Sequence, residues 1–435
     1  MVGRHLHLFG LALGALGLAA TARADDSPWA WHVQSTVTGQ ETNRFTSPYA
    51  GANSLVPEPG GAETFDLTGY LGYRPWKGGE LWVNPEIDQG FGLSNTLGLA
   101  GFSSGEAYKI GKTNPYLRLQ RLFLRQTFCL GGDQSDVDPD LNVFGGKQAA
   151  DRVVVTVGKF GVTDIFDGSV SAHDPRHDFL NWSVIDTGSF DYAADAWGYT
   201  AGAAVELYKG PYAVRLGLFD MSNVPNSTHL DSFHQVQGVA ELEDRFKLNG
   251  HDGAVRLTGF VSRARMASFN ETLTATPAGQ APDTAADRHY RSRAGVAVSG
   301  DLGLSDTVSA FVRAGVSDGH FETYEFTDID STVAGGLSFN GKAWRRDGDT
   351  IGLALVRNDI SSSHAAYLAA GGMGPLVGDG QLPHKAQEHI LEAYYSLAVI
   401  KTFTVTADYQ YVRNPAYNAD RGPVSIIGLR LHAQY

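Results

Sequence analysis

The chain has 435 residues, with 34 Lys and Arg against 47 Asp and Glu and a formal charge of −13. That balance argues against a nucleic-acid partner, which needs basic groups to displace phosphate counterions. A single cysteine, Cys129, excludes an internal disulfide, and 52 glycines with 22 Phe and 18 Tyr against 4 Met suit many turns and packed strands better than helices.

The first element is a targeting segment. Arg4 precedes an apolar run from Leu8 to Ala20, and Ala22-Arg23-Ala24 forms an A-x-A cleavage pattern before Asp25. The run is shorter than the ~20 residues of a spanning helix, so residues 1–24 read as a signal peptide, used for Sec export and then removed. The mature chain then carries 32 basic and 47 acidic side chains, a charge of −15. No later apolar run approaches roughly 18 residues, so entry into a membrane would be by strands.

Residues 25–435 read as one barrel domain. Period-2 alternation marks sixteen segments of roughly ten residues, the length of a tilted spanning strand: 29–39, 64–75, 79–90, 116–130, 152–159, 197–208, 211–220, 234–246, 253–264, 293–304, 307–318, 331–343, 350–360, 387–399, 402–413 and 424–435. Short links at Lys77-Gly78, Lys209-Gly210, Lys247 to Asp252, Ser305-Asp306, Arg345 to Asp349 and Lys401 alternate with long ones at 40–63, 91–115, 160–196, 221–233, 265–292, 319–330, 361–386 and 414–423. Even strand number and alternating link length are the outer-membrane pattern of short periplasmic turns and long external loops. Residues 131–151 are the exception, a long link where a short one is expected.

Strand faces follow from the same alternation. Phe403, Val405, Ala407, Tyr409 and Tyr411 oppose Thr404, Thr406, Asp408 and Gln410; Trp197, Tyr199, Ala201, Ala203, Val205 and Leu207 oppose Thr200, Gly202 and Glu206. Trp29, Trp31, Trp76, Tyr208, Tyr212, Trp344 and Tyr435 all map to the periplasmic rim, as an interfacial aromatic girdle requires. In the last segment Ile427, Leu429, Leu431, Ala433 and Tyr435 oppose Gly428, Arg430, His432 and Gln434. Such an ending resembles the final strand of a bacterial outer-membrane barrel, and Arg430 and His432 become candidate water-facing groups.

The stretches GELWVNPEIDQGFGLSNTLGLAGF (79–102), RLQRLFLRQTF (118–128), GKFGVTDIFD (158–167), DPRHDFLNWS (174–183) and DYQYVRNP (408–415) together resemble the carbohydrate-selective porins of the OprB family. The resemblance covers essentially the whole mature chain. It implies an all-β, sixteen-stranded antiparallel transmembrane barrel for passive, selective uptake of mono- and small oligosaccharides, with external loops narrowing the pore. Lys159 stands where Arg would equally be expected, which keeps the positive charge.

A barrel of this size leaves a water channel unless loops obstruct it. The link from Phe160 to Ala196 is long enough to fold inside, and its core, Asp174 to Trp182, mixes charges with Phe179, Leu180 and Trp182, a composition suited to packing; the alternative is a lid over the outer rim. Neutral sugars need hydrogen-bonding groups and flat apolar faces. Glu80, Trp82, Asn84, Glu86 and Asp88 share one face of segment 79–90, and Arg121, Phe123, Arg125 and Thr127 one face of segment 116–130; Arg118 falls on the other, which points to a bulge or an end position. The pore-lining and sugar-binding candidates are therefore Trp82, Glu86, Asp88, Arg121, Phe123, Arg125, Lys159, Asn181 and Trp182. Acidic and basic groups facing each other across a narrow eyelet would hold a transverse field, although such charges also pair simply to solvate a wall.

Other signals are weaker. DQSDVDPDLN (133–142) has calcium-loop spacing, but Leu141 replaces the needed Gly and Lys147 the Glu, so an EF-hand is rejected. HFETYEFTDID (320–330) reads as a solvated external loop, and His364, His384 and His389 match no zinc pattern. No cofactor or metal is expected. A general small-solute porin and a barrel enzyme are the rival readings, the second weakened because no Ser-His constellation stands out. Expected partners are carbohydrate solutes, outer-membrane lipid and lipopolysaccharide, and the barrel assembly machinery; homo-oligomer formation is left open.

Overall fold

The computed structural model describes residues 27–107 and 110–435, so the leader assigned to residues 1–24 lies outside it. Sixteen strands form where alternation places them: β1 (Trp29–Thr42), β2 (Gly60–Tyr73), β3 (Gly79–Gly90), β4 (Lys112–Val137), β5 (Gly146–Phe160), β6 (Thr200–Lys209), β7 (Tyr212–Asp220) and β8 (Val236–Leu248). The second half continues with β9 (His251–Met266), β10 (His289–Ser305), β11 (Val308–Ser317), β12 (Ser331–Asn340), β13 (Thr350–Asp359), β14 (Glu388–Ile400), β15 (Phe403–Arg413) and β16 (Val424–Gln434). Each strand pairs antiparallel with its sequence neighbours, and β1 pairs with β16 from Gln34↔Gln434 to Thr42↔Ile426. Closure leaves no free edge, which lets strands satisfy every backbone group in lipid. No described helix is long and apolar enough to cross a membrane.

The apolar stripe faces outward and the polar stripe inward. On β16 Ile427 and Leu429 are exposed while Arg430 and His432 are buried; on β15 Ala407, Tyr409 and Tyr411 are exposed while Thr406, Asp408 and Gln410 are buried. Trp29, Trp31, Trp76 and Tyr212 stand outward at the short-turn end, 65%, 40%, 55% and 57% exposed. Tyr208 departs from that girdle. It pairs with the buried Ala213 on the inward face, its hydroxyl donating to Glu206 at 2.5 Å and Arg152 lying 3.8 Å over its ring.

The register differs from expectation at three places. Residues 131–151 are mostly strand: β4 and β5 continue to Val137↔Gly146, leaving a turn of 138–145 at the end of a ribbon. β6 starts at Thr200, so Trp197 and Tyr199 lie outside the strand and turn into the lumen instead of outward. In β4 the pairing shifts between Asn84↔Arg121 and Pro85↔Leu119, a bulge at Gln120 that brings Arg118 and Arg121 to the same side.

The lumen is filled by links. The 161–199 segment runs inside the barrel, with a single helical turn α1 (Trp182–Ile185), and 92–107 lies beside it. Arg313 of β11 donates to the carbonyls of Ile185, Asp167 and Ala172 at 3.0, 3.0 and 2.9 Å. Glu392 of β14 accepts from the Leu180 and Asn181 amides, and Glu388 from Ala100 and Gly101. Arg430 is inward, as expected, but it meets the link and not water, donating to the carbonyls of Pro175, His177 and Asp178. These inward charges take up backbone groups that a buried link would otherwise leave unpaired.

The outer loops form a cap whose apolar core is continuous with that of the lumen. Helices α2 (Phe269–Ala275) and α3 (Ser362–Ala369) meet there through Phe269, which stacks on His364 at 4.5 Å and leans on Tyr367 at 4.9 Å. The 320–330 segment is not a solvated loop: Glu322, Glu325, Asp328 and Asp330 are buried within the cap. Each has partners that make burial tolerable. Asp328 accepts from the Leu376 and Val377 amides, and Asp330 from the Ser361 amide and His364, which is itself fully buried.

Candidate functional site

A cavity of about 460 Å³ lies in the filled lumen between the inner wall of β1–β5 and the 161–199 link. The opposite wall carries a charge ladder on β7–β10, with a second opening of about 510 Å³ against its Arg256 and Asp301 at the short-turn end. There Arg215 binds Glu241 and Glu243 at 2.7 and 3.1 Å, and Arg256 binds Glu243 and Asp301 at 2.9 and 2.8 Å.

Arg121 and Arg125 project into the cavity from β4 with Phe123 between them, as the alternation of that segment requires. Arg121 is held by Asp164, its Nε 2.7 Å from Oδ2 and its Nη2 2.6 Å from Oδ1, and its guanidinium lies 4.9 Å over the Tyr199 ring. Arg125 donates to the Asn142 carbonyl at 2.9 Å and lies 3.4 Å from Glu80. Phe102, Trp182 and Phe326 form the aromatic side, with Phe102 and Trp182 stacked at 5.3 Å and Phe326 edge-on at 6.1 Å. Flat rings against forked donors are the two surfaces that a pyranose offers to bind, its C–H face and its hydroxyls.

Glu86 reaches this cavity, yet it does not face the arginines of β4 as a free charge. It accepts from Thr68 at 2.5 Å and Gln120 at 3.0 Å, and Arg176 of the link lies 3.4 Å away. Arg176 also lies 3.5 Å from Asp66 and 3.3 Å from Glu106, so one inserted cation serves three carboxylates. The acidic partner of Arg121 is thus Asp164 from the link, not a strand carboxylate. Asp186 adds a second acidic group to the cavity: burial raises its pKa to about 6, against the opposing pull of His173, whose Nδ1 is 3.7 Å away.

Four of the nine candidates fall outside the cavity lining. Trp82 points inward but is fully covered by Phe144, centroids 4.9 Å apart. Asp88 is buried behind Gln120, which donates to it at 3.2 Å. Asn181 is buried as the cap of α1, accepting from the Ser183 amide and donating to Gly101 and Gln410. Lys159 occupies an outward register position beside Leu122 and Ala201, and its ammonium is taken by Asp195 and the Leu119 carbonyl, each at 3.2 Å. Glu86, Arg121, Phe123, Arg125 and Trp182 do line the cavity. Asp164 and Arg176 sit inside the quoted motifs GKFGVTDIFD and DPRHDFLNWS, but nothing in a link sequence gives a side chain its direction. Glu106, Tyr199 and Asp186 carried no comparable signal.

A family model described as carbohydrate-selective porin, OprB family, matches residues 62–435. The chain belongs to the OprB family of carbohydrate-selective porins. It is a sugar-selective channel of the outer membrane. Among solved structures, the high-pH structure of Pseudomonas putida OprB superposes with a TM-score of 0.71 at 16% identity over 94% of both chains. The outer membrane channel DcaP of Acinetobacter baumannii gives 0.51 at 10% identity, covering 94% of this chain and 97% of that one. At such identities these likenesses establish the shared barrel fold. Comparison with curated proteins finds no match.

Proposed function

We propose that this porin selects neutral mono- and small oligosaccharides at the cavity between β4 and the 161–199 link. The observation that carries the reading is the conjunction of Arg121 and Arg125 with the Phe102–Trp182 stack around one space of about 460 Å³. Hydroxyls would replace hydration water on the guanidinium donors while the ring stack takes the apolar sugar face. Because Arg121 is paired with Asp164, the eyelet offers donors and acceptors without a strong excess of one sign. Glu86, Phe123 and Trp182 complete the proposed contact set. Planar-bilayer conductance of the purified protein, titrated with mono- and disaccharides, tests it: concentration-dependent block by neutral sugars is expected, and current insensitive to every sugar would defeat the reading.

Transport and not catalysis is the proposed activity. The proposed route is Sec export with removal of residues 1–24 and insertion by the barrel assembly machinery, after which the outward apolar faces meet lipid and lipopolysaccharide. Amino-terminal sequencing of the outer-membrane form should start at Asp25.

A further inference from the structure

We propose that the tip of the β4–β5 ribbon, residues 138–145, is the periplasmic gate of the sugar path and sets which solutes leave the cavity. The proposal rests on the channel reading and deepens it. The ribbon is detached from the wall: β3 pairs with β4 only as far as Gly79↔Gln126, and β6 pairs with β5 only from Arg152↔Tyr208. Just past those points the Thr127 amide donates to the Gly78 carbonyl at 2.8 Å and Asp151 accepts from the Gly210 amide at 2.9 Å; farther out each strand has only the other as a ladder partner, and such a two-stranded ribbon is marginally stable. Register shifts between Cys129, Gly131 and Gln134 mark its base, where Gly131 and Gly132 take φ of +131° and +78°. Bulges and glycines of this kind bend a strand, here back beneath the lumen.

The tip crosses the mouth of the pore. The Asn142 carbonyl accepts from Arg125 at 2.9 Å, the Gly145 carbonyl from Arg74 at 3.1 Å, and Asp140 from Gln434 at 2.9 Å. Gln434 belongs to β16, on the far side of β3, β2 and β1 from the ribbon's own strand. Leu141, Asn142 and Val143 line the same cavity as Arg121 and Trp182, so the tip is its floor. Phe144 fastens it against Trp82 at 4.9 Å and under Arg74 at 4.2 Å. None of these contacts is a strand ladder, so the tip is released without opening the wall. Arg125 couples release to occupancy. A sugar hydroxyl that accepts from its guanidinium takes the place of the Asn142 carbonyl, and the floor loses a bond when the cavity fills.

Two variants test the gate. Replacing residues 133–149 with an Asn-Gly turn should raise unitary conductance and weaken sugar block. In a Cys129→Ser background, Asp140→Cys with Gln434→Cys places a thiol pair across the mouth. Oxidation, verified by mass spectrometry, should reduce sugar flux in liposome swelling, and reductant should restore it. If the shortened chain fails to insert, the thiol pair decides alone. Full sugar flux through the oxidised pair, or wild-type conductance and block in the shortened chain, overturns the gate. A wild type that conducts without sugar block would count against sugar selection, while the gate is still judged on conductance.

Discussion

Arg121 on the barrel wall and Asp164 on the inserted link grip each other through two parallel hydrogen bonds, at 2.7 and 2.6 Å, across the narrow part of the lumen. Asp164 is further fixed by the Gly161 amide at 2.9 Å. A forked, charge-assisted pair of this kind is stronger and more directional than an exposed ion pair.

Arg121→Ala should weaken sugar block and widen the conductance, because the pair both lines and narrows the cavity. A charge-assisted bond is worth about 1.5–3 kcal/mol, so block should weaken by roughly tenfold or more. Asp164→Ala should show much of the same loss, and the double variant should be less than additive. Unchanged block in Arg121→Ala would place the arginine outside the eyelet.

Arg313 decides whether the link stays in. It is 1% exposed and holds three link carbonyls, with Asp167 at 3.7 Å. Arg313→Ala strands those groups at a cost on the order of 3 kcal/mol. The expected result is a folded barrel with larger, noisier current and new protease cleavage within 161–199. A variant with the wild type's quiet current would show that Glu392 and Arg430 suffice to hold the link.

Trp182, stacked on Phe102, is the proposed flat face for the sugar. Trp182→Ala should cost about 1 kcal/mol of sugar interaction beyond lost area, roughly a fivefold weaker block, and Trp182→Phe should recover part of it. Equal block by Ala and Phe variants would remove stacking from the mechanism.

Asp186 predicts a pH response. Burial lifts its pKa from 3.8 to about 6 although His173 and Arg313 oppose the rise and Asp167 adds to it. The folded state binds this proton more tightly than the unfolded chain, so the group's stabilising contribution is full below about pH 4 and is lost as pH rises through about 6. Above that pH a negative charge faces the cavity. Cation preference, read as reversal potential in a salt gradient, should fall between about pH 7 and about pH 5, and Asp186→Asn should flatten that part of the curve. An identical titration in the variant would assign the response to other groups.

Strand number, order and facing were legible in the sequence because a strand's side-chain period is two, and lipid on one side with a polar interior on the other imposes that period locally. The faces of β3, β15 and β16 follow from it, and the misplaced Arg118 pointed to a bulge or an end position, of which the β4 register shift is the first. Where alternation stopped, so did legibility. Trp82 and Lys159 illustrate the limit: the first faces inward but lies beneath Phe144 of a distant turn, and the second sits one register position away from the inner wall. The residues of the proposed eyelet were placed by tertiary structure, because Asp164, Arg176 and Asp186 ride on a link with no repeating geometry. Inward charges that sequence shows only as polar stripe residues, Arg313, Glu392 and Arg430, hold that link in the lumen and thereby turn a wide barrel into a narrow channel.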